Sequence, residues 1–306
     1  MSIAVYTHPA DESGVLVVVG LGLIGQAISK QLSLHATQVA LTLKEKFDWR
    51  DAVELRRIIK QASNAVNAKS LEIIWCAGKA GFTALESETD LEYLFFEQLV
   101  TALLRNNSIH LCVNLISSAG GLYENSGYVQ NIESISPARP YANSKLAQES
   151  LMKKLEVDYR VYRVSTVYGF GGSRMGLISI MLRSSIIRTP MIIYADQNTL
   201  RDYIFNTDLA ITIVNDVVYG ADCGVRILAS GRATSIHTLL NIVQKTTGRR
   251  VIHTFRPDGS NDQDITFSLN VIHHPLNQPL NTTNLEQGIK MLASQMLIND
   301  RYLRHF

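Results

Sequence analysis

The sequence predicts an α/β protein: a Rossmann-type doubly wound parallel sheet with a smaller C-terminal α/β domain. Residues 15–19 form an unbroken apolar run that passes through Gly20, Gly22 and Gly25 into a helical pattern. Later apolar runs alternate with helix-like stretches, without a tight hairpin signal between them. Such alternation is typical of parallel strands that helices cover on both faces.

The elements follow from the period and the length of each run. After a first helix over residues 26–34, strands are expected at residues 39–43, 71–75, 109–116 and 159–164. Helices are expected between them, at residues 52–66, 90–105 and 141–155. The later part predicts a short strand at 192–194 and helices at 178–187, 207–218, 235–247 and 284–294. The first dozen residues fit none of these patterns.

The character of the chain changes after Gly169, where glycines become frequent. We therefore predict two domains. Residues 1–169, together with about 201–224, form the Rossmann domain. Residues from about 170–200 and 225–306 form the smaller domain.

Composition excludes several classes of protein. The 306 residues are 46% hydrophobic and 18% charged with a net charge of +2, which fits a globular protein without a nucleic-acid or membrane partner. No signal-peptide pattern opens the sequence, and no apolar run is long enough for a membrane helix. Three scattered cysteines and no Cys/His cluster predict free thiols in a reducing cytoplasm and no metal site.

The glycine turn predicts a dinucleotide site. Gly20 permits a tight turn, Gly22 allows close approach of a pyrophosphate, and Gly25 lets the helix pack against the sheet. The backbone N–H groups of Leu23 and Ile24 then face the phosphates at the helix N-terminus. The alternative is a glycine-rich turn without a ligand.

The cofactor is expected to be NAD or NADP. An acidic residue usually holds the ribose about 20 positions after the turn. This sequence has Lys44 and Lys46 there, with Glu45 between them. Lysines suit a ribose 2′-phosphate, so NADP is slightly favoured. The two lysines equally fit a solvated strand end.

Tyr141 and Lys145 lie four positions apart on a predicted helix and therefore share one face. A positive charge close to a tyrosine favours its phenolate and lowers its pKa, which turns the side chain into a usable base. Ordinary surface residues show the same spacing, so the pair alone does not establish catalysis.

Together, these segments resemble the extended short-chain dehydrogenase/reductases, in particular their nucleotide-sugar epimerase/dehydratase/reductase group (UDP-galactose 4-epimerase-like). The likeness covers residues 15–292 in seven segments that follow the family's order. They are 48–51, 73–78, 116–119, 141–145, 163–169, 201–208 and 231–235.

The resemblance implies a role for each matching residue. Tyr141 and Lys145 are the catalytic pair, and the catalytic hydroxyl belongs to Ser118, with Ser117 as its competitor. The implied cofactor-binding residues are Gly20, Gly22, Leu23, Ile24, Gly25, Lys44, Asp48, Trp49, Cys76, Ala77, Gly78, Tyr141 and Lys145. The implied substrate-binding residues are Ser117, Ser118, Thr166 and Arg201, where the arginine contacts the substrate diphosphate.

The sequence also departs from the family pattern. The first glycine of the usual GxxGxxG falls on Val19, and Thr166 replaces an asparagine that touches the substrate. Nucleotide-sugar 4,6-dehydratases carry Asp-Glu after the catalytic threonine, where this chain has Ala119 and Gly120. A dehydratase is therefore disfavoured.

The resemblance thus predicts an NDP-sugar epimerase that uses Ser/Tyr/Lys hydride-transfer chemistry on a nucleotide-sugar substrate. One alternative is an NAD(P)H-dependent reductase of an NDP-4-keto-6-deoxysugar. Another is a cofactor-sensing regulator without turnover, which retention of both Tyr141 and Lys145 disfavours. Relatives dimerise through two helices of each subunit, and helices 90–105 and 141–155 are apolar enough to predict a homodimer.

Overall fold

The computed structural model describes residues 3–37, 51–65, 67–105, 109–172, 174–257, 259, 262–273 and 282–298. Its strands are β1 (Ile3–His8), β2 (Asp11–Val19), β3 (Ser70–Trp75), β4 (His110–Ser118), β5 (Gly127–Val129), β6 (Asp158–Val164), β7 (Thr166–Tyr168), β8 (Met191–Ile193), β9 (Leu200–Phe205), β10 (Gly224–Leu228), β11 (Ala233–Ser235), β12 (His253–Phe255) and β13 (Ile265–Phe267). Its α-helices are α1 (Leu23–Leu32), α2 (Ala52–Ala65), α3 (Glu86–Leu104), α4 (Ala119–Leu122), α5 (Pro140–Lys154), α6 (Leu177–Ile187), α7 (Asn206–Val218), α8 (Ile236–Thr247) and α9 (Leu285–Ile298). A 3₁₀ turn covers Leu269–Val271.

The main sheet has the strand order β1-β2-β3-β4-β6-β10. From β2 to β10 the neighbouring strands are parallel, and only β1 runs antiparallel. The apolar run of β2 is buried from Val15 to Val19, as expected for a strand that helices cover on both faces. The predicted parallel α/β fold is confirmed.

Helices cover both faces of this sheet. Side chains of α2, α3 and α5 pack on one face, while α1 and α7 pack together on the other. The carboxyl ends of the parallel strands therefore meet at one edge, where ligands of open α/β sheets bind.

The later part of the chain has cores of its own. Helices α6, α8 and α9 pack around β8 and β9 in one cluster, and α4 packs with β5 and β13 in another. A second sheet has the order β11-β9-β13-β5, with β7 also paired to β9. The predicted domain boundaries stay a prediction, and the second sheet draws β5 and β9 from the segments assigned to the first domain.

The N-terminal segment forms an antiparallel hairpin that the sequence patterns did not predict. Strand β1 pairs with β2 from Ile3↔Val19 to Thr7↔Val15, and it buries the side chains of Ile3 and Tyr6. The turn between the two strands contains no glycine. It is closed by a local hydrogen bond in which Nδ1 of His8 accepts the backbone N–H of Ala10. The sequence patterns left the first dozen residues unassigned, so this hairpin is a finding of the structure.

Most predicted elements lie within a few residues of the observed ones. Helix α3 starts at Glu86, four residues before its predicted start, because the Glu88 carboxylate accepts the backbone N–H of Leu85 at 3.0 Å. Helix α9 runs four residues past its predicted end. Helix α8 ends at Thr247, as predicted, and Gly248 caps it with φ +68°. The strand predicted at 39–43 lies outside the described residues.

Candidate active site

The turn between β2 and α1 has the shape that a diphosphate needs. Gly20 has φ +90°, and a Cβ there would lie 2.5 Å from the backbone of Ala77. A Cβ at Gly25 would lie 2.1 Å from the carbonyl oxygen of Gly20. A Cβ at Gly22, by contrast, would have no atom within 4 Å. Two glycines are thus required by packing, whereas the third faces open space.

Helix α1 begins at this open position. Gly22 is its N-cap and provides no side-chain hydrogen bond to the first turn. The orphan N–H groups that begin with Leu23 and Ile24 are therefore left for an anion, which the helix dipole also favours. These residues fit the pyrophosphate of a dinucleotide, and they would hold it through their backbone.

A glycine loop lies against the same helix start. A Cβ on Gly172 would come within 3.1 Å of the backbone nitrogen of Leu23. The buried Asn206 side chain connects this loop to helix α1, since its amide donates to the carbonyl oxygens of Leu23 (3.0 Å) and Phe170 (2.8 Å). The loop after β7 and the start of α7 thus flank the phosphate turn.

The loop after β3 completes the other side of the turn. The Cβ built on Gly25 lies 3.4 Å from Cβ of Cys76, and Ala77 packs against Gly20. Burial raises the pKa of the Cys76 thiol to about 12. Glu92 of α3 holds the next residues, because its Oε1 accepts the backbone N–H groups of Lys79 and of Ala80. Cys76, Ala77 and Gly78 therefore lie beside the predicted cofactor position.

Ser118 and Tyr141 meet at the carboxyl end of β4. Ser118 ends this strand and caps the short helix α4, where its Oγ accepts the backbone N–H of Gly121 at 3.1 Å. The same hydroxyl shares a side-chain hydrogen bond with Tyr141. Lys145, one turn after Tyr141, donates from Nζ to the carbonyl oxygen of Ile116 and to Gln148, at 3.3 Å each. The structure thus brings the three predicted catalytic residues together.

Ser117 points to the other face of β4, because neighbouring residues of a strand alternate. Its hydroxyl donates to Oε1 of Glu149 at 2.6 Å, and Glu149 also forms a buried ion pair with Arg163 at 2.8 Å. Its predicted substrate contact has no counterpart in this geometry. Of the two competing serines, only Ser118 reaches Tyr141.

Burial shifts the pKa values of Tyr141 and Lys145 in opposite directions. It raises the pKa of Tyr141, and the hydrogen bond from Ser118 opposes this only in part. It lowers the pKa of Lys145, against the attraction of nearby Glu92. The protein side chains alone thus leave the pKa of Tyr141 raised, and its lowering by a neighbouring ammonium together with a bound nicotinamide stays a prediction.

A cavity of about 470 Å³ lies between the second sheet and the catalytic end of β4. It is lined largely by aliphatic and aromatic side chains, and Thr166 and Arg201 are among its polar residues. Arg201 donates to the carbonyl oxygens of Leu200 and Gln263, and burial lowers its pKa. The cavity has the size of an ordinary small-molecule site.

Three residues at the catalytic end of this cavity were not predicted. The Phe82 ring lies 5.8 Å from that of Tyr141, and the Arg139 guanidinium lies 5.2 Å above Phe82. Arg139 also forms an ion pair with Glu124. The sequence signal for these residues is weak, since no spacing relates the three segments that carry them.

Four residues of the predicted cofactor site lie outside the described part of the chain. They are Lys44, Lys46, Asp48 and Trp49, so the preference for NADP stays a prediction.

Within the described residues no group of three His, Cys, Asp or Glu side chains is placed to hold a metal ion. No helix among them is long and apolar enough to cross a membrane.

Residues 15–215 match the model of the NAD dependent epimerase/dehydratase family. A protein of Methanocaldococcus jannaschii, provisionally named UDP-glucose 4-epimerase, is 28% identical over 149 residues. That match covers 44% of this chain and 46% of the other protein, so the chain spans less than half of the relative that it matches.

Two solved structures share the fold over nearly their whole length. An epimerase from Methanothermobacter thermautotrophicus superposes with a TM-score of 0.77 at 17% identity, covering 97% of this chain and 98% of the other. The UDP-glucose 4-epimerase of Thermus thermophilus, in complex with NAD, gives a TM-score of 0.70 at 18% identity, covering 92% and 98%. These similarities establish the fold.

Proposed function

The chain belongs to the NAD dependent epimerase/dehydratase family, and on that premise we propose that it is a nucleotide-sugar epimerase. The observation that carries the proposal is the hydrogen bond between Ser118 and Tyr141 at the carboxyl end of β4, next to Gly120, which lines a cavity of substrate size. The relative from Methanocaldococcus jannaschii supports an epimerase and a UDP-sugar substrate.

Each catalytic residue has one task in this proposal. Tyr141 takes the proton from a ring hydroxyl of the sugar and later returns it. Ser118 donates a hydrogen bond to the same sugar oxygen and stabilises the charge that develops there. Lys145 holds a positive charge on the same helical face and orients the nicotinamide ribose. A bound nicotinamide supplies the acceptor for the hydride.

The cofactor would lie across the carboxyl edge of the sheet. Leu23 and Ile24 would bind its pyrophosphate, and Cys76, Ala77 and Gly78 would flank it. The Thermus thermophilus structure, which holds NAD, supports a nicotinamide dinucleotide. We propose NADP as the slightly favoured form, on the strength of Lys44 and Lys46 in the sequence.

Two further properties belong to the proposal. A homodimer is supported by α3, where Leu91 and Leu94 are 48% and 42% exposed on neighbouring positions of one helical face. A cytoplasmic location is supported by three cysteines that form no disulfide.

A nucleotide-sugar screen tests the proposed activity. The purified chain is incubated with UDP-glucose, UDP-galactose and their N-acetylamino counterparts, with NAD or NADP, and the products are identified by proton NMR. An epimerase forms the C4 epimer from either side, with no net change in the cofactor.

Other outcomes separate the alternatives. In a parallel incubation with NADPH and an NDP-4-keto-6-deoxysugar, a reductase consumes the two in equal amount and releases NADP. A sensing protein binds the dinucleotide and turns over none of these sugars. Either result would replace the epimerase proposal.

A further inference from the structure

Arg174 connects the two loops that flank the phosphate turn. It lies in the loop after β7, and its Nη2 donates to the carbonyl oxygen of Lys79, in the loop after β3, at 2.8 Å. Gly172 of the first loop lies against Leu23 at the start of α1. Ala77 of the second loop packs on the other side of the turn. The Arg174 side chain therefore bridges the cleft in which the turn lies.

Two further observations locate the Arg174 guanidinium between the phosphate turn and the catalytic tyrosine. Arg174 and Leu23 line the same small cavity, of about 40 Å³. Burial is the largest influence on the pKa of Tyr141 and raises it, whereas the positive charge of Arg174 and the hydrogen bond from Ser118 lower it. The guanidinium thus lies on the route from the first N–H groups of α1 to Tyr141, which is the route proposed for the dinucleotide.

The loop after β3 is shaped around this side chain. A Cβ on Gly81 would lie only 2.6 Å from Nη1 of Arg174, so the guanidinium occupies the space that a larger residue would need. Oε1 of Glu92 accepts the backbone N–H groups of Lys79 and Ala80. Lys79 is therefore held by a carboxylate at its N–H and by a guanidinium at its carbonyl oxygen, and hydrogen bonds to charged groups are the stronger ones.

The guanidinium keeps donors for an anion. An arginine side chain has five N–H donors in a planar fork. Arg174 is exposed, and among the described residues its hydrogen bond to Lys79 is the one that the structure shows. The start of α1 is arranged to bind a pyrophosphate, and a guanidinium recognises phosphate oxygens through paired N–H groups. The free donors of Arg174 therefore suit the same ligand group.

We propose that Arg174 binds the pyrophosphate of the dinucleotide and, through its bond to Lys79, closes the cleft over the bound cofactor. The dinucleotide then leaves only after the guanidinium has released both the phosphate and the opposite loop. Slow release suits a reaction that returns the hydride to the same sugar. This inference rests on the proposed function, since it assigns a further contact of the same cofactor.

The test removes the guanidinium in one variant and displaces it in another. Arg174→Gln removes it. Gly81→Ala retains it but places a methyl group against Nη1, and Gly81 has no positive φ, so alanine fits its backbone. Arg249→Gln is the matched control, because Arg249 is also exposed and its Nη1 donates to a backbone carbonyl oxygen, that of Ile186 at 2.9 Å.

Cofactor release is measured without any sugar. Each protein is loaded with NADH or NADPH, whichever it binds more tightly, and is mixed with an excess of the oxidised form in a stopped-flow instrument. The fall in nicotinamide fluorescence gives the dissociation rate. Urea denaturation reports that each variant is folded.

Arg174→Gln should release the cofactor about 10- to 100-fold faster than the wild type, as for the loss of one hydrogen bond between charged groups. Gly81→Ala should give a rate between these two. The double variant should be no faster than Arg174→Gln, because both changes act on the same guanidinium. Arg249→Gln should leave the rate unchanged. Unchanged release from Arg174→Gln, or a double variant in which the two effects multiply, would overturn the proposal.

The remaining outcomes separate this inference from the proposed function. If Arg174→Gln weakened UDP-glucose affinity in calorimetry while cofactor release stayed unchanged, Arg174 would belong to the substrate site and the proposal would be wrong. A wild type that binds neither dinucleotide would overturn the cofactor assignment together with this inference. An absence of turnover, with fast release confined to the Arg174 and Gly81 variants, would contradict the epimerase proposal alone and support the role of Arg174.

Discussion

At the scale of single residues, burial decides the chemistry of the catalytic pair. Tyr141 and Lys145 are four residues apart, and burial raises the pKa of the first and lowers that of the second. Both shifts favour the neutral forms, which a buried site without compensating charge prefers. The hydrogen bond from Ser118 opposes the rise in the pKa of Tyr141, and the charge of Glu92 opposes the fall in the pKa of Lys145.

Tyr141→Phe should lower kcat of the proposed reaction by at least about 100-fold, because proton transfer by a placed side chain contributes that much. NAD affinity should remain, since only the hydroxyl is removed. The measurement is the initial rate with the best nucleotide sugar of the screen. Tyr128→Phe is the matched control, because Tyr128 is 56% exposed on β5. Full activity in Tyr141→Phe would refute the role of Tyr141.

The raised pKa of Tyr141 predicts an alkaline pH dependence. Sugar oxidation needs the phenolate, whose fraction grows about tenfold per pH unit below the pKa. The initial rate of epimerisation, followed by proton NMR of the product sugar, should therefore rise from neutral to alkaline pH. A rate that falls over this interval would contradict Tyr141 as the base.

The cysteines give a prediction that is independent of turnover. Burial raises the pKa of both Cys76 and Cys112 to about 12, whereas Cys223 is exposed. Only the thiolate reacts with iodoacetamide, and a thiol with pKa 12 is ionised to about one part in ten thousand at pH 8. Intact mass should show one adduct on the folded chain and three on the unfolded chain.

Cys223→Ser is the control for that experiment, and it should leave the folded chain almost unmodified. Rapid modification of Cys76 in this variant would show that the loop after β3 is more open than the structure indicates.

At the scale of elements, the phosphate turn depends on two glycines for packing and on a third for space. Gly25→Ala should destabilise the protein by a few kcal/mol, because the new methyl group would overlap the carbonyl oxygen of Gly20. Gly22→Ala should fold normally, since its φ of −83° suits alanine and nothing lies nearby. Its methyl group would instead occupy the pyrophosphate position, so NAD affinity should fall at least about tenfold.

Urea denaturation and NAD titration of the two variants separate these effects. A loss of NAD affinity in Gly25→Ala alone, or unchanged affinity in Gly22→Ala, would place the cofactor elsewhere than at the start of α1.

A buried ion pair fixes helix α5, which carries Tyr141. Arg163 on β6 binds Glu149 on α5 at 2.8 Å and also donates to Oη of Tyr123 at 2.7 Å. These contacts tie the helix that carries Tyr141 to the strand beside β4. They help to hold Tyr141 beside Ser118, although neither Arg163 nor Glu149 lines the cavity.

At the scale of the whole molecule, the hairpin β1–β2 extends the parallel sheet by an antiparallel strand. Strand β1 lies directly beside the strand that leads into the phosphate turn, with Ile3 opposite Val19. A buried network crosses the sheet, in which Glu72 on β3 binds His8 of β1 at 2.9 Å and Arg160 on β6 at 2.7 Å. The N-terminal segment is thus an integral part of the sheet.

The proposed dimer also belongs to this scale. Leu91→Arg together with Leu94→Arg should convert a dimer to a monomer, because two charges would enter an apolar interface on α3. Sedimentation velocity measures the change. Leu269→Arg is the control, since Leu269 is 62% exposed on the 3₁₀ turn and should leave the mass unchanged. A wild-type monomer would contradict the predicted homodimer.

The sequence by itself determined the local features of this protein. The run into Gly20 and Gly25 specified the strand, the turn and the helix, because each requirement acts between residues close in the chain. The spacing of Tyr141 and Lys145 fixed their common helical face in the same way. Strands β3, β4 and β6 were predictable from continuous apolar runs.

Only the tertiary structure decided which of these features meet. Ser117 and Ser118 are alike in sequence, and the packing of α5 determines which face of β4 meets Tyr141. The pairing of β1 with β2 and the burial of Glu124 beside Arg139 likewise depend on partners from separate segments. Such contacts form only when the whole chain is folded, because no local spacing or propensity encodes them.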